Sequence, residues 1–246
     1  MRTRPRDAGG VGVELARRLV SRGGRFSTEL GIDVEAGEAG RARWFLAATL
    51  FGTRIPTTIA ERTFHVLDGA GVTVATARSF TWDDLVELLD RGGYVRYDYK
   101  TATRLHLLCD ALVDRYGGHV DAISRRARTS GELEAALDAL PGWGPVTVGV
   151  FLRELRGVWP LAAPPLDQRA AACAQHLGLV PASARDPLAR IRTLADAAGV
   201  DPRDLEGALV RGALAHHRGF DACPGGRACL AVGQRAPAPR GRGSRR

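Results

Sequence analysis

An all-α fold is what this 246-residue sequence predicts, on three observations. Apolar residues recur at helical spacing: Leu105, Leu108, Cys109 and Leu112 fall at i, i+3, i+4 and i+7, as do Leu133, Ala136, Leu137 and Leu140. That spacing places each set on one face of a helix. Capping and stop signals bracket the helical runs. The one stretch of β character, GVTVATA at 71–77, has no evident partner and reads as a loop.

The elements follow in order. Helices are expected at 12–22, 41–52 and 57–68, with Trp44 and Phe45 as core residues of the second. Thr81 with Asp84 has the pattern of a capping box and opens 81–91, and Gly92-Gly93 supplies the left-handed stop. The helix at 99–116 carries the first apolar face and ends at Gly117-Gly118; a short helix at 119–127 follows. Thr129 with Glu132 opens 130–139, and Pro145, whose missing amide hydrogen costs nothing at a first helical position, opens 146–156. Asp167 precedes a helix at 168–178, another spans 184–198, and Asp201-Pro202 opens 202–217. No internal repeat argues for a solenoid. The segment WPLAAPP at 159–165 interrupts the helices and marks a crossing between two lobes.

Composition narrows the partners. The formal charge of +8 points to an acidic partner, most simply a phosphate backbone. Part of the excess lies in AVGQRAPAPRGRGSRR, five arginines among Gly, Pro and Ser, a composition expected to stay disordered. No apolar run approaches the roughly 18 residues that span a bilayer. No apolar stretch with a cleavage site follows MRTRPRDAGG, so a cytoplasmic protein is expected. Lys100 is the single lysine among the 35 Lys plus Arg, and arginine does not readily become a nucleophilic amine, so imine chemistry has only Lys100 or the amino terminus. Cys109 and Cys173 sit in apolar helical patterns as small hydrophobes, and only Cys223 and Cys229 are near neighbours.

The segment LPGWGPVTVGVFL at 140–152 carries the functional signal. Gly142 and Gly144 permit a tight reversal between two helices, and the amides of the glycines and of the first helical turn, Val146 and Thr147, then point outward together. Donors clustered at a helix start attract phosphate without reading sequence. Trp143 at the tip is expected to pack beneath the hairpin.

Through that hairpin the chain resembles the endonuclease III-like helix-hairpin-helix DNA glycosylase superfamily. The likeness extends through RWFLAATLFGTRIPTTIAERTF at 43–64, GGYVRYDYKTATRLHLLCDAL at 92–112 and PPLDQRAAACAQHLG, covering roughly residues 40–220. It implies a two-lobed helical fold with the DNA cleft between lobes. Residues 1–40 would join the second lobe, 41–158 would form the lobe ending in the hairpin, 159–230 the second lobe, and 231–246 a disordered basic tail. It also implies duplex DNA with a damaged or mismatched base as partner, the target nucleotide being flipped into the cleft. Asp167 matches the catalytic aspartate, Thr53 and Arg54 match a loop reaching the gap in the duplex, and Tyr94 matches the wedge loop, where it would stack in the vacated space. A monomer is the implied default.

Two departures shape the expected chemistry. Val146 stands where strand-cutting relatives carry lysine, so base excision without an efficient lyase step is expected. The segment HHRGFDACPGGRAC resembles the place where relatives hold a four-iron cluster but keeps only Cys223 and Cys229, so no cofactor, no iron-sulfur cluster and no metal ligand is expected. His216 and His217, being adjacent, do not share a face and are expected at a helix end or a phosphate. The alternative to an enzyme is a helix-hairpin-helix DNA-binding protein that has lost the chemistry; a metal-dependent nuclease has no cluster of paired carboxylates and histidines to support it.

Overall fold

The computed structural model describes residues 8–216 and 219–232; His217 and all of the expected tail at 231–246 except Ala231 and Val232 lie outside the described residues, and Val232 is buried rather than part of a disordered tail. The described residues are helical, with no strand among them beyond one isolated bridge between Arg156 and Trp159. The α-helices are α1 (Ala8–Val20), α2 (Phe26–Glu29), α3 (Glu38–Phe51), α4 (Thr57–Gly69), α5 (Trp82–Gly92) and α6 (Asp98–Tyr116). They continue with α7 (Asp121–Arg126), α8 (Ser130–Asp138), α9 (Pro145–Glu154), α10 (Gln168–His176), α11 (Pro187–Ala198) and α12 (Pro202–Ala215).

Local chemistry explains most boundaries. Thr81 and Asp84 form a complete capping box, and Thr129 accepts the Glu132 amide. Gly93 and Gly117 close α5 and α6 in the left-handed conformation, at φ 89° and 66°. The stretch 71–77 is a loop in which hydroxyls replace a strand partner: Thr76 Oγ1 donates to the Gly71 carbonyl at 2.6 Å and accepts from the Thr73 amide at 2.9 Å. Helices α1 and α3 start earlier than expected, at Ala8 rather than 12 and at Glu38 rather than 41, and two further elements differ. The four-residue helix α2 has no periodic signal of its own, and α11 starts at Pro187 rather than 184, because Asp186 accepts the Ala189 amide at 2.8 Å and Pro187 takes the first helical position.

The chain divides into two compact units: Arg25–Leu166, and the described residues up to Gly24 together with those from Asp167 onward. In the first, α3 is the centre. Residues Trp44 through Leu50 are buried on every side, as expected of a helix that other elements surround. In the second, α10 and α11 pack on α12, and α1 packs on α11 and α12. The expected boundaries near 40 and 158 are therefore displaced to 24/25 and 166/167. Glu154 explains the first shift, since its buried carboxylate accepts the amides of Phe26 and Ser27 at 2.8 Å each and draws that segment onto α9. Arg156 explains the second by donating to the carbonyls of Pro164 at 2.8 Å and Pro165 at 3.0 Å, which keeps the proline-rich segment with α9.

Candidate functional site

The hairpin of α8 and α9 is built around one glycine and one tryptophan. Gly142 takes φ +80°, a left-handed conformation costly for residues with a Cβ, and a Cβ there would also press on the Arg104 stem at 3.0 Å. Trp143 is buried, stacks on Phe45 at 4.6 Å, meets Phe151 edge-on at 5.2 Å, and donates its Nε1–H to Thr49 Oγ1 at 3.1 Å. The tip is thus fixed to α3. Helix α9 then begins with Pro145, and its first backbone bond runs from the Val148 amide to the Gly144 carbonyl at 3.0 Å. That leaves the amides of Val146 and Thr147 without an intrahelical acceptor.

The sequence-predicted contacts divide on exposure. Gly142 and Val146 face solvent, Val146 being 60% exposed. Gly144 is half-buried, and the Thr147 side chain is buried against Gly52, so Thr147 can offer only its amide. Thr53 and Arg54 follow α3 directly beside that contact, with Arg54 exposed and Thr53 Oγ1 donating to the Leu50 carbonyl at 3.1 Å. Tyr94 is corrected. Its ring is fully buried, its hydroxyl donates to the Leu50 carbonyl at 3.0 Å and also meets Thr53 Oγ1, and burial pushes its pKa up. It is a core residue that braces the 52–54 loop, and the exposed side chains that follow it are Val95 and Arg96. Arg104, half-buried with its stem across Gly142, was not singled out from sequence because nothing distinguishes it there from the chain's other arginines. No carboxylate pairs with Arg104 or Arg54 among the described residues.

Asp167 opens the other unit as the N-cap of α10. Its carboxylate accepts the amides of Arg169 at 2.7 Å and Ala170 at 3.4 Å, while its own amide donates to Glu206 Oε1 on α12 at 3.1 Å. The side chain is half-buried. Three bonds therefore hold the acid at a defined place and rotamer.

Sequence reading names no metal ligand, yet the structure gathers four side chains with donor atoms in the unit that contains Asp167. His176 ends α10, His216 follows α12, and Cys223 and Cys229 lie in the loop beyond; one donor atom from each falls within 4.8 Å of all the others. His216 is buried and does not face solvent. The amide of Gly225, then that of Leu230 and both imidazoles, outweigh desolvation and lower the Cys223 pKa to about 5. Burial pushes Cys109 and Cys173 up to about 12, the behaviour of packed thiols. No helix of the described residues is long and apolar enough to cross a membrane. No protein-family model matches this sequence, and no curated protein matches it either.

Proposed function

We propose that this protein binds duplex DNA through the α8–α9 hairpin and hydrolyses the N-glycosidic bond of a flipped damaged or mismatched base, as a monofunctional glycosylase. The observation that carries the reading is the hairpin tip: a left-handed Gly142, a buried Trp143 anchor, and unpaired amides at the start of α9. Such a tip presents donors to a sugar-phosphate strand at no cost in reorganisation. Arg104 and Arg54 add charge beside it. Cleavage builds positive charge on the sugar, which a fixed carboxylate stabilises while helping to activate water, and Asp167 is the acid assigned that role. Val146, lacking an amine, forms no imine with the sugar, so the strand stays intact after excision.

The two bonds that Asp167 accepts from α10 would also suffice for a purely structural cap, which favours the second reading, a DNA-binding protein without catalysis. One substitution separates them. Asparagine caps a helix about as well as aspartate but carries no charge, so Asp167→Asn keeps the fold and removes the electrostatic contribution. Duplexes bearing uracil, oxidised, alkylated or mismatched bases are incubated with each protein and then treated with alkali. Alkali-dependent strand breaks, reduced in the variant by about 100-fold or more, support the enzyme; binding without breaks across the panel supports the second reading.

A further inference from the structure

We propose that His176, His216, Cys223 and Cys229 form a tetrahedral site for a single Zn²⁺ ion. The donor set is two thiols and two imidazoles with donor atoms within 4.8 Å of one another, which suits one small ion. Two further observations show that these atoms converge as ligands rather than as ordinary packing. The Nε2 of His176 is shut off from solvent and has no hydrogen-bond partner among the described residues, a costly state unless something else satisfies it. The Nδ1 of His216 lies 2.6 Å from the Gly212 carbonyl, which can only accept, so Nδ1 carries a proton and, in the neutral ring that binds a metal, Nε2 offers its lone pair. That Nε2 is 3.4 Å from Cys229 Sγ. Zinc bonds of roughly 2.3 Å to sulfur and 2.0 Å to nitrogen, set at the tetrahedral angle, make a sulfur–nitrogen edge of about 3.5 Å.

The surrounding backbone is shaped for this convergence. Gly225 has φ +72°, and a Cβ there would stand 2.6 Å from the His176 carbonyl oxygen, so only glycine lets the turn between the cysteines close onto the end of α10. A Cβ at Gly212 would stand 2.8 Å from Cys173 Sγ and 3.4 Å from Ala231 Cβ, so a glycine there lets α10 and the C-terminal loop close on α12.

Charge balances as well. Zn²⁺ enters, Cys223 and Cys229 bind as thiolates, any proton still held by a ligand atom leaves to solvent, and the site is neutral overall. A four-iron cluster needs four thiolates, and two are present. A two-iron centre with mixed ligands puts its histidines and cysteines on different irons, whereas here a histidine nitrogen and a cysteine sulfur already stand at single-ion spacing. Bound zinc would clamp the C-terminal ends of α10 and α12 to the loop that follows. Since α10 is also the helix that Asp167 caps, the ion would hold that helix in place from its far end. The inference does not depend on glycosylase activity.

Metal content of the intact chain tests it. Protein from zinc-replete expression should carry one zinc per chain. Its two site thiols should resist a thiol-modifying reagent until a chelator strips the metal, and stripping should lower Tm. Co²⁺ added to the stripped protein should give the visible bands of tetrahedral cobalt with sulfur-to-metal charge transfer. Cys223→Ser, in the half-buried loop, should weaken zinc binding by more than the roughly 10- to 100-fold that loss of a supporting hydrogen-bond partner costs. His216→Gln is the second variant should the first misfold. Absence of zinc and cobalt binding in the folded protein, zinc binding unchanged in both variants, or iron with acid-labile sulfide in the purified chain would each overturn the assignment.

Discussion

Gly52 sits where the end of α3 meets the start of α9. Its φ of −70° is ordinary for any residue, but a Cβ there would overlap Thr147 Oγ1 and stand 3.0 Å from Thr147 Cβ. Glycine is required at this position for space, whereas Gly142 with φ +80° is required for backbone conformation. Gly52→Ala should therefore cost about 1–3 kcal/mol through overpacking. The double variant Gly52→Ala/Thr147→Ala removes the overlapping hydroxyl and should recover part of that loss in urea unfolding. Strictly additive losses would show that the contact is not the cause. Because the Thr53–Arg54 loop begins at this glycine, the same single variant should also weaken duplex DNA binding.

Between elements, Asp121 is the clearest tie. It opens α7, receives Arg41 of α3 at 2.6 and 2.5 Å, and accepts the Trp159 Nε1–H at 3.0 Å. Burial alone would raise its pKa, but the hydrogen bonds from Arg41 and Trp159 and the nearby guanidinium charge outweigh it, and the carboxylate lies below its ordinary value of 3.8. A lowered folded-state pKa contributes stability above the unfolded value that is lost as pH falls through the folded one. Asp121→Asn should thus destabilise by about 1–2 kcal/mol at pH 7, less than the ~3–5 kcal/mol for a fully buried pair. The gap to the parent protein should narrow below about pH 4. Urea midpoints at pH 7 and pH 3 measure it; a gap that does not change with pH would show that packing, not charge, holds the tie.

For the molecule as a whole, the formal charge of +8 predicts that DNA affinity falls linearly with salt on logarithmic axes. If Arg104 contacts a phosphate beside the hairpin, Arg104→Ala should reduce that slope by about 0.9 and weaken binding to all sequences alike. Fluorescence anisotropy between 50 and 200 mM salt, on the order of the range where such contacts show, reads both. An unchanged slope would remove Arg104 from the interface.

Helices, caps and the glycine turn were legible in the sequence because each depends on residues a few positions apart. Thr81 reaches Asp84, Asp167 reaches Ala170, and Gly142 needs no partner to adopt its conformation. What only the tertiary structure decided involves residues distant in sequence. Tyr94 belongs to the core because its hydroxyl meets Leu50, Arg104 reaches the hairpin from the middle of α6, and Glu154 draws Phe26 and Ser27 into the unit that contains α9. The His176–His216–Cys223–Cys229 group is the extreme case. Its cysteine pair is visible as a spacing, but His176 joins it only through the packing of α10 on α12, and local periodicity carries no information about which helix ends will meet.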